Sequence, residues 1–253
     1  GTNGIVYQQL IMHLPKMDSE LLSLLPLYTR CLTELGSADR SYLETQALMD
    51  QVTGGVSVYS SLRSTIDDVQ KTDAYMVLSG KSLARNQDKL ADFMMDTFLS
   101  ARFDETDRIR EIVAQYRASK ENSITGNGHG LAMMAASAGM SPLAKLRHDS
   151  RGLAGIHALK SFDDGLNEKA NLDALANSFA KIHEILQLAP RQILLVGEPS
   201  SMDEMYQYQE KVWSSVKEPS ADFSAFSLPA INEKLNQFWV TNTQVNFCAK
   251  SYP

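Results

Sequence analysis

Apolar residues recur at Leu43, Ala47, Leu48 and Val52, the i, i+4, i+5, i+9 spacing of an amphipathic helix, and Ser41 with Glu44 forms a capping box at its start. After Gly54-Gly55 the period changes to two. Val56 and Val58 alternate with Ser57 and Tyr59, as in a strand with one covered face. The paired glycines supply the positive φ that lets helix and strand pack back on each other, and the helical stripe is expected to be buried.

The rest of the chain divides by the same rules. Ile5–Leu14 is a β-branched and apolar run stopped by Pro15, hence a first strand. Asp18 or Ser19 should cap a helix reaching Leu35, with Pro26 kinking it or marking its true start. Ala74–Leu83 predicts a third strand, followed by helices from Asn86 to Arg102, with Leu90, Phe93, Met94, Phe98 and Leu99 buried, and from about Arg108 to Ile124. Gly126–Gly130 should interrupt, and Leu131–Ala138, Pro142–Arg147, Gly155–Phe162 and Asn167–Leu188 read as further helices. Gln192–Val196 predicts a strand, Met202–Val216 a helix and Glu218–Pro229 a loop. Gln237–Lys250 predicts a bent strand with a polar break at Thr241-Asn242-Thr243.

Two strands joined only by the polar stretch Asp67–Asp73 form an antiparallel pair most simply, so the fold class expected is α+β: a two-layer, mainly antiparallel sheet covered by helices on one face, with a large helical insertion. A chain of 253 residues is at the upper end of what one core serves, and one large core is expected.

Composition excludes more than it indicates. The net charge is −6 and the basic residues are scattered, which argues against a nucleic-acid surface. No apolar run approaches the roughly 20 residues needed to cross a bilayer, and no basic-then-apolar leader opens the chain. Two cysteines, Cys31 and Cys248, are too few for a disulfide scaffold and read as packed thiols.

Candidate chemistry is sparse. His183-Glu184 begins an H-E-x-x-H pattern, but position 187 is Gln, a poor zinc ligand, and none of His13, His129, His148, His157 and His183 belongs to the inverted H-x-x-E-H. Thr125–Gly130 is glycine-rich but follows a helix and lacks the Lys-Ser/Thr of a phosphate loop, so it reads as an interhelical turn. His148-Asp149-Ser150 sets triad residue types side by side, whereas triads are assembled in space. Met133, Met134 and Met140 read as core filling rather than a peptide surface. No catalytic or metal-binding residue is therefore assigned, and substrate-binding residues stay unassigned.

The segments T-N-G-I-V-Y, P-L-Y-T-R-C-L-T-E-L-G, Y-L-E-T-Q-A-L-M-D-Q-V-T-G-G-V-S-V and T-N-T-Q-V-N-F-C-A-K-S-Y-P, in this order and spacing, resemble the third domain of presequence proteases, the single-chain branch of the pitrilysin/insulinase zinc metallopeptidases. The resemblance covers nearly the whole chain, most specifically residues 2–83 and 238–253. It implies two half-shells joined by a helical linker, zinc bound by H-x-x-E-H in the first domain, and an Arg and a Tyr of the fourth domain holding substrate. None of these motifs occurs here. The resemblance thus implies a non-catalytic domain over residues 1–240 and a lead-in strand, 241–253, to a following domain. Its partners would be the N-terminal catalytic half and fourth domain of one polypeptide, with short peptides as substrates and no cofactor in this chain. The chain alone is expected to be inactive. The implied compartment is the cytoplasm or periplasm of a bacterium or an organelle matrix of a eukaryote. A stand-alone peptide-binding or assembly module remains the alternative, and an independent hydrolase using His148, Asp149 or Ser150 a distant third.

Overall fold

The computed structural model describes residues 1–214, 216–241 and 244–252. Strands β1 (Ile5–His13), β2 (Val56–Ser64), β3 (Thr72–Leu83) and β4 (Arg191–Val196) form one sheet in the order β2-β3-β1-β4. β1 runs antiparallel to both neighbours, with Leu10 opposite Leu78 and Ile193. The β2–β3 hairpin is closed by Thr65 N donating to the Lys71 carbonyl at 3.0 Å. This is the antiparallel α+β sheet that the alternating patterns imply.

The chain divides into two units. The first comprises Gly1–Ser61, Ala74–Ile109 and Ala174–Ala225, and the second Leu62–Asp73, Arg110–Asp173 and Phe226–Pro253. The single core expected from length is thus replaced by two groupings, because the long helical stretch gathers around its own contacts.

In the first unit, alternation along β1 sends Val6, Gln8, Leu10 and Met12 to a buried face, while Tyr7 on the other face is 40% exposed. Helix α3 (Gln87–Leu99) lies close on the buried face: a Cβ on Gly80 would sit 2.6 Å from Leu90 Cδ1. Leu90, Phe93, Met94 and Phe98 of α3 are buried as the spacing predicts, whereas Leu99 is exposed. Helix α1 (Ser19–Leu32) starts where Asp18 accepts from Leu21 N at 2.8 Å. Pro26 neither starts nor ends it, since its ring forfeits only one ladder hydrogen bond while Leu21, Leu24, Leu25 and Tyr28 are held in the core.

Helix α2 (Tyr42–Val52) has its capping box, but its stripe is not dry: Leu43 is 66% exposed and Ala47 is also exposed, and the buried positions are Thr45 and Val52. Of the two glycines that follow, only Gly55 has positive φ, at +114°. Gly54 serves instead for close approach, its N–H donating to the Lys81 carbonyl at 2.7 Å.

The second unit contains most of α4 (Thr106–Gly126), then α5 (Gly128–Ser137), α6 (Pro142–Arg151), α7 (Leu153–Gly165) and the start of α8 (Lys169–Gln187). The glycine-rich interruption shrinks to Asn127, because Gly128, His129 and Gly130 already belong to α5. Arg110 and Arg117, two turns apart on α4, both reach the buried carboxylate of Asp163 on α7, at 2.5 and 2.8 Å. Helix α9 (Pro199–Trp213) returns to the first unit, and the sequence-based helix end at Val216 passes over Ser215, outside the described residues.

The bent strand expected over Gln237–Lys250 is absent from the described residues 237–241 and 244–250; Asn242 and Thr243 lie outside them. Alternation alone makes no strand without an edge to pair with. Val245 is 55% and Phe247 40% exposed there. Deleting Thr243–Pro253 should therefore change the urea unfolding free energy by no more than about 0.5 kcal/mol. A loss of several kcal/mol would mean that the segment belongs to a core.

Candidate functional site

Within the second unit a cavity of about 400 Å³ opens between α6 and the extended residues 233–239. Helix α6 begins where Ser141 caps Ala144 N at 3.2 Å, with Pro142 in its first turn. Lys145, His148 and Asp149 of this helix share one face by i, i+3, i+4 spacing and line the cavity. Leu235, Gln237 and Trp239 line it from the other side.

Lys145 Nζ and Asp149 Oδ2 pair at 2.7 Å, both about half exposed. His148 is 3% exposed, and the Trp239 ring meets its edge at 5.7 Å. His148 Nδ1 is buried without a hydrogen-bond partner and faces Gly152, where a Cβ would come within 2.7 Å of it. Burial pushes the imidazole pKa below its ordinary value and Lys145 adds to this, while Asp149 and Gln237 oppose it. Ser150 Oγ donates to the Leu146 carbonyl at 2.6 Å, the usual bond of a helical serine. The hydroxyl is thus directed to the backbone and Asp149 to Lys145, so no serine–histidine–aspartate relay is assembled. The site can bind, but it has no activated nucleophile.

The other sequence candidates are dispersed. His183 is buried in the first unit, where its Nδ1 pairs with Tyr28 Oη at 2.8 Å. Gln187, standing where a second imidazole would complete the zinc pattern, donates to the Phe98 and Leu99 carbonyls at 2.7 and 3.2 Å, and Glu184 is exposed. His13 packs on Tyr75 at 4.9 Å, and His129 and His157 are exposed. Met133 is 56% exposed and Met134 and Met140 are half-buried, so these methionines do not fill a core as expected. Cys31 is a packed thiol whose pKa burial, with Glu34 second, pushes up to about 12, but Cys248 is exposed.

Among the described residues no three His, Cys, Asp or Glu side chains stand close enough together to hold a metal ion. The donor set does not fit a catalytic zinc, which takes three protein ligands. The half of the cavity that sequence reasoning missed is residues 233–239. Only the alternation of Leu235, Gln237 and Trp239 hinted at an extended segment there, and it gave no sign of what the segment lies against.

An antiparallel sheet under helices, with a binding cavity but no catalytic constellation among the described residues, defines a protease-associated domain once its relatives are considered. The fold matches the crystal structure of the periplasmic protease PqqL from Escherichia coli with TM-score 0.57 and 11% identity, over 92% of this chain and 23% of that one. The chain belongs to the peptidase M16 (subfamily C) associated family, whose model matches residues 1–162. It is 26% identical over 254 residues to presequence protease 1, chloroplastic/mitochondrial, of Arabidopsis thaliana, covering 99% of this chain and 23% of the relative. It is 28% identical over 159 residues to the mitochondrial presequence protease of Danio rerio, covering 63% of this chain and 16% of the relative. The chain therefore spans less than a quarter of the length of these relatives.

Proposed function

We propose that this chain is a non-catalytic domain of a zinc metalloendopeptidase of the presequence protease type, forming part of the wall of a closed chamber that degrades short unstructured peptides. The observation that carries the reading is the near-complete alignment of this chain with 23% of a presequence protease, which leaves room for a catalytic half elsewhere. The missing donor set is consistent with zinc bound by another domain. Residues 1–240 would be the domain and 241–253 the lead to the next. Its partners are then the N-terminal half and fourth domain of the same polypeptide. Tyr7, Leu194 and Val196, which are 40%, 46% and 42% exposed, and Leu43 offer apolar surface for such contacts. The names of the relatives favour an organelle matrix as the compartment, and no described helix is long and apolar enough to cross a membrane.

The purified chain should cleave no unstructured peptide and retain no stoichiometric zinc after dialysis. Peptidase activity that disappears on His148→Ala or His183→Ala would overturn the reading. An H-x-x-E-H motif upstream in the same open reading frame favours the protease over a stand-alone binding module, and its absence favours the module.

A further inference from the structure

We propose that the second unit carries a binding groove for an extended peptide with an aromatic side chain, and that residues 231–239 of this chain occupy the groove as a tethered, exchangeable ligand. The inference stands apart from the protease reading, since a chain without peptidase activity would bind the peptide equally well.

The groove reads backbone. Ile231 N donates to Gln70 Oε1 at 2.8 Å, and Glu233 N donates to the Gly139 carbonyl at 2.8 Å. Amides two residues apart point the same way only in an extended chain, so these bonds hold one edge of a strand-like segment. The acceptors are preset. The Gln70 amide is oriented by its own Nε2 donating to the Met140 carbonyl at 3.0 Å. Gly139 permits the approach, because a Cβ there would lie 2.1 Å from the Glu233 carbonyl oxygen and 3.0 Å from Leu235 Cγ. Further along the segment, the Trp239 ring seats on the edge of His148 and supplies its aromatic contact with α6. Recognition through two main-chain amides and one ring tolerates many sequences, provided the chain is extended and carries the aromatic residue.

The occupant is loosely held. Leu235 is 37% and Trp239 42% exposed, and Phe238 and Val240 are fully or almost fully so. A segment with so little buried apolar surface opens locally at small cost, and tethering rather than intrinsic affinity keeps it in place. Release would expose Gln70, the Gly139 carbonyl and His148, with the 400 Å³ cavity, to a peptide in trans.

The test uses the full chain and a fluorescent peptide with the sequence of residues 229–241. In the variant I231P/W239A the first substitution deletes the amide donated to Gln70 and the second deletes the ring, so the groove is vacated. The peptide should bind this variant at least about tenfold more tightly than wild type, whose groove is filled in cis. Adding Gly139→Val should abolish binding, and a peptide with Trp239→Ala should bind about tenfold more weakly. Equal binding to wild type and the vacated variant, or none to a vacated variant with unchanged circular dichroism, would overturn the proposal. Should that variant not fold, hydrogen exchange of wild type decides. Millimolar unlabelled peptide must accelerate exchange of the Ile231 and Glu233 amides by displacing the tethered segment, and unchanged exchange rejects the groove.

Discussion

Gln8→Leu should destabilise the chain by about 3 kcal/mol, read as a lower urea midpoint at unchanged m-value. Gln8 is 1% exposed on the helix-covered face of β1 and anchors a line of side chains. Its Nε2 donates to the Gln87 carbonyl at 2.9 Å, its Oε1 accepts from Gln209 Nε2 at 2.7 Å, and Gln209 Oε1 accepts from Trp213 Nε1 at 2.8 Å. The line thereby joins the sheet to the start of α3 and to α9. Leucine has nearly the same volume, so little of the effect comes from packing. It comes from stranding the Gln209 amide and one lone pair of the Gln87 carbonyl in a dry core, at about 1–3 kcal/mol for each unsatisfied group. The double variant Gln8→Leu/Gln209→Leu removes both sides of the central bond and should be more stable than Gln8→Leu by about 1 kcal/mol, because apolar surface replaces an orphaned amide. If the two losses simply add, the residues do not act as a line.

Nothing in the sequence marks Gln8. It is one of two adjacent glutamines in an apolar run, and its partners lie 79 and 201 residues away. What is legible is local: the four strands, the Ser41–Glu44 capping box, the Asp18 cap and the helices from α3 to α9 follow from period, caps and breakers that act within a few residues. Where a pattern requires a partner surface, the reading fails. The α2 stripe and the Gln244–Lys250 alternation both have the right period, yet Leu43 is exposed and no strand forms over residues 244–250, because period states which side of an element is apolar and not whether anything covers it. The candidate site is legible only as its α6 half, where Lys145, His148 and Asp149 fall on one helical face. Its other half comes from a segment read as strand, and the glycine that admits that segment reads as an ordinary turn residue.

Acid should remove about 3 kcal/mol of stability through His183 alone. The imidazole is 7% exposed beside Phe103, whose ring centroid lies 5.3 Å away, and its Nδ1 pairs with Tyr28 Oη. Burial keeps the Tyr28 phenol neutral, with its pKa raised above the ordinary value, so its O–H donates and Nδ1 accepts. Protonation of the ring must then break this bond and charge a dry site. Burial pushes the His183 pKa from 6.5 down to about 4, while the Phe98 carbonyl, already accepting from Gln187, pulls weakly the other way. The unfolded chain binds the proton near pH 6.5 and the folded chain only near pH 4, so the unfolded state holds more protons between these values and stability falls as pH falls. The contribution is intact above pH 6.5, declines by at most about 1.4 kcal/mol per pH unit below it, and is lost once pH passes below the folded value. Carboxylates titrate over part of this window, so the informative quantity is the difference from Y28F/H183L, which removes the titrating ring and its partner together and leaves no stranded donor. Urea unfolding of both proteins at steps between pH 7 and pH 4 should give curves that converge by about 3 kcal/mol toward acid, with wild type losing more. Parallel curves, or a His183 ring proton resonance titrating near its ordinary value, would show the ring to be accessible to water and the pair with Tyr28 to be open.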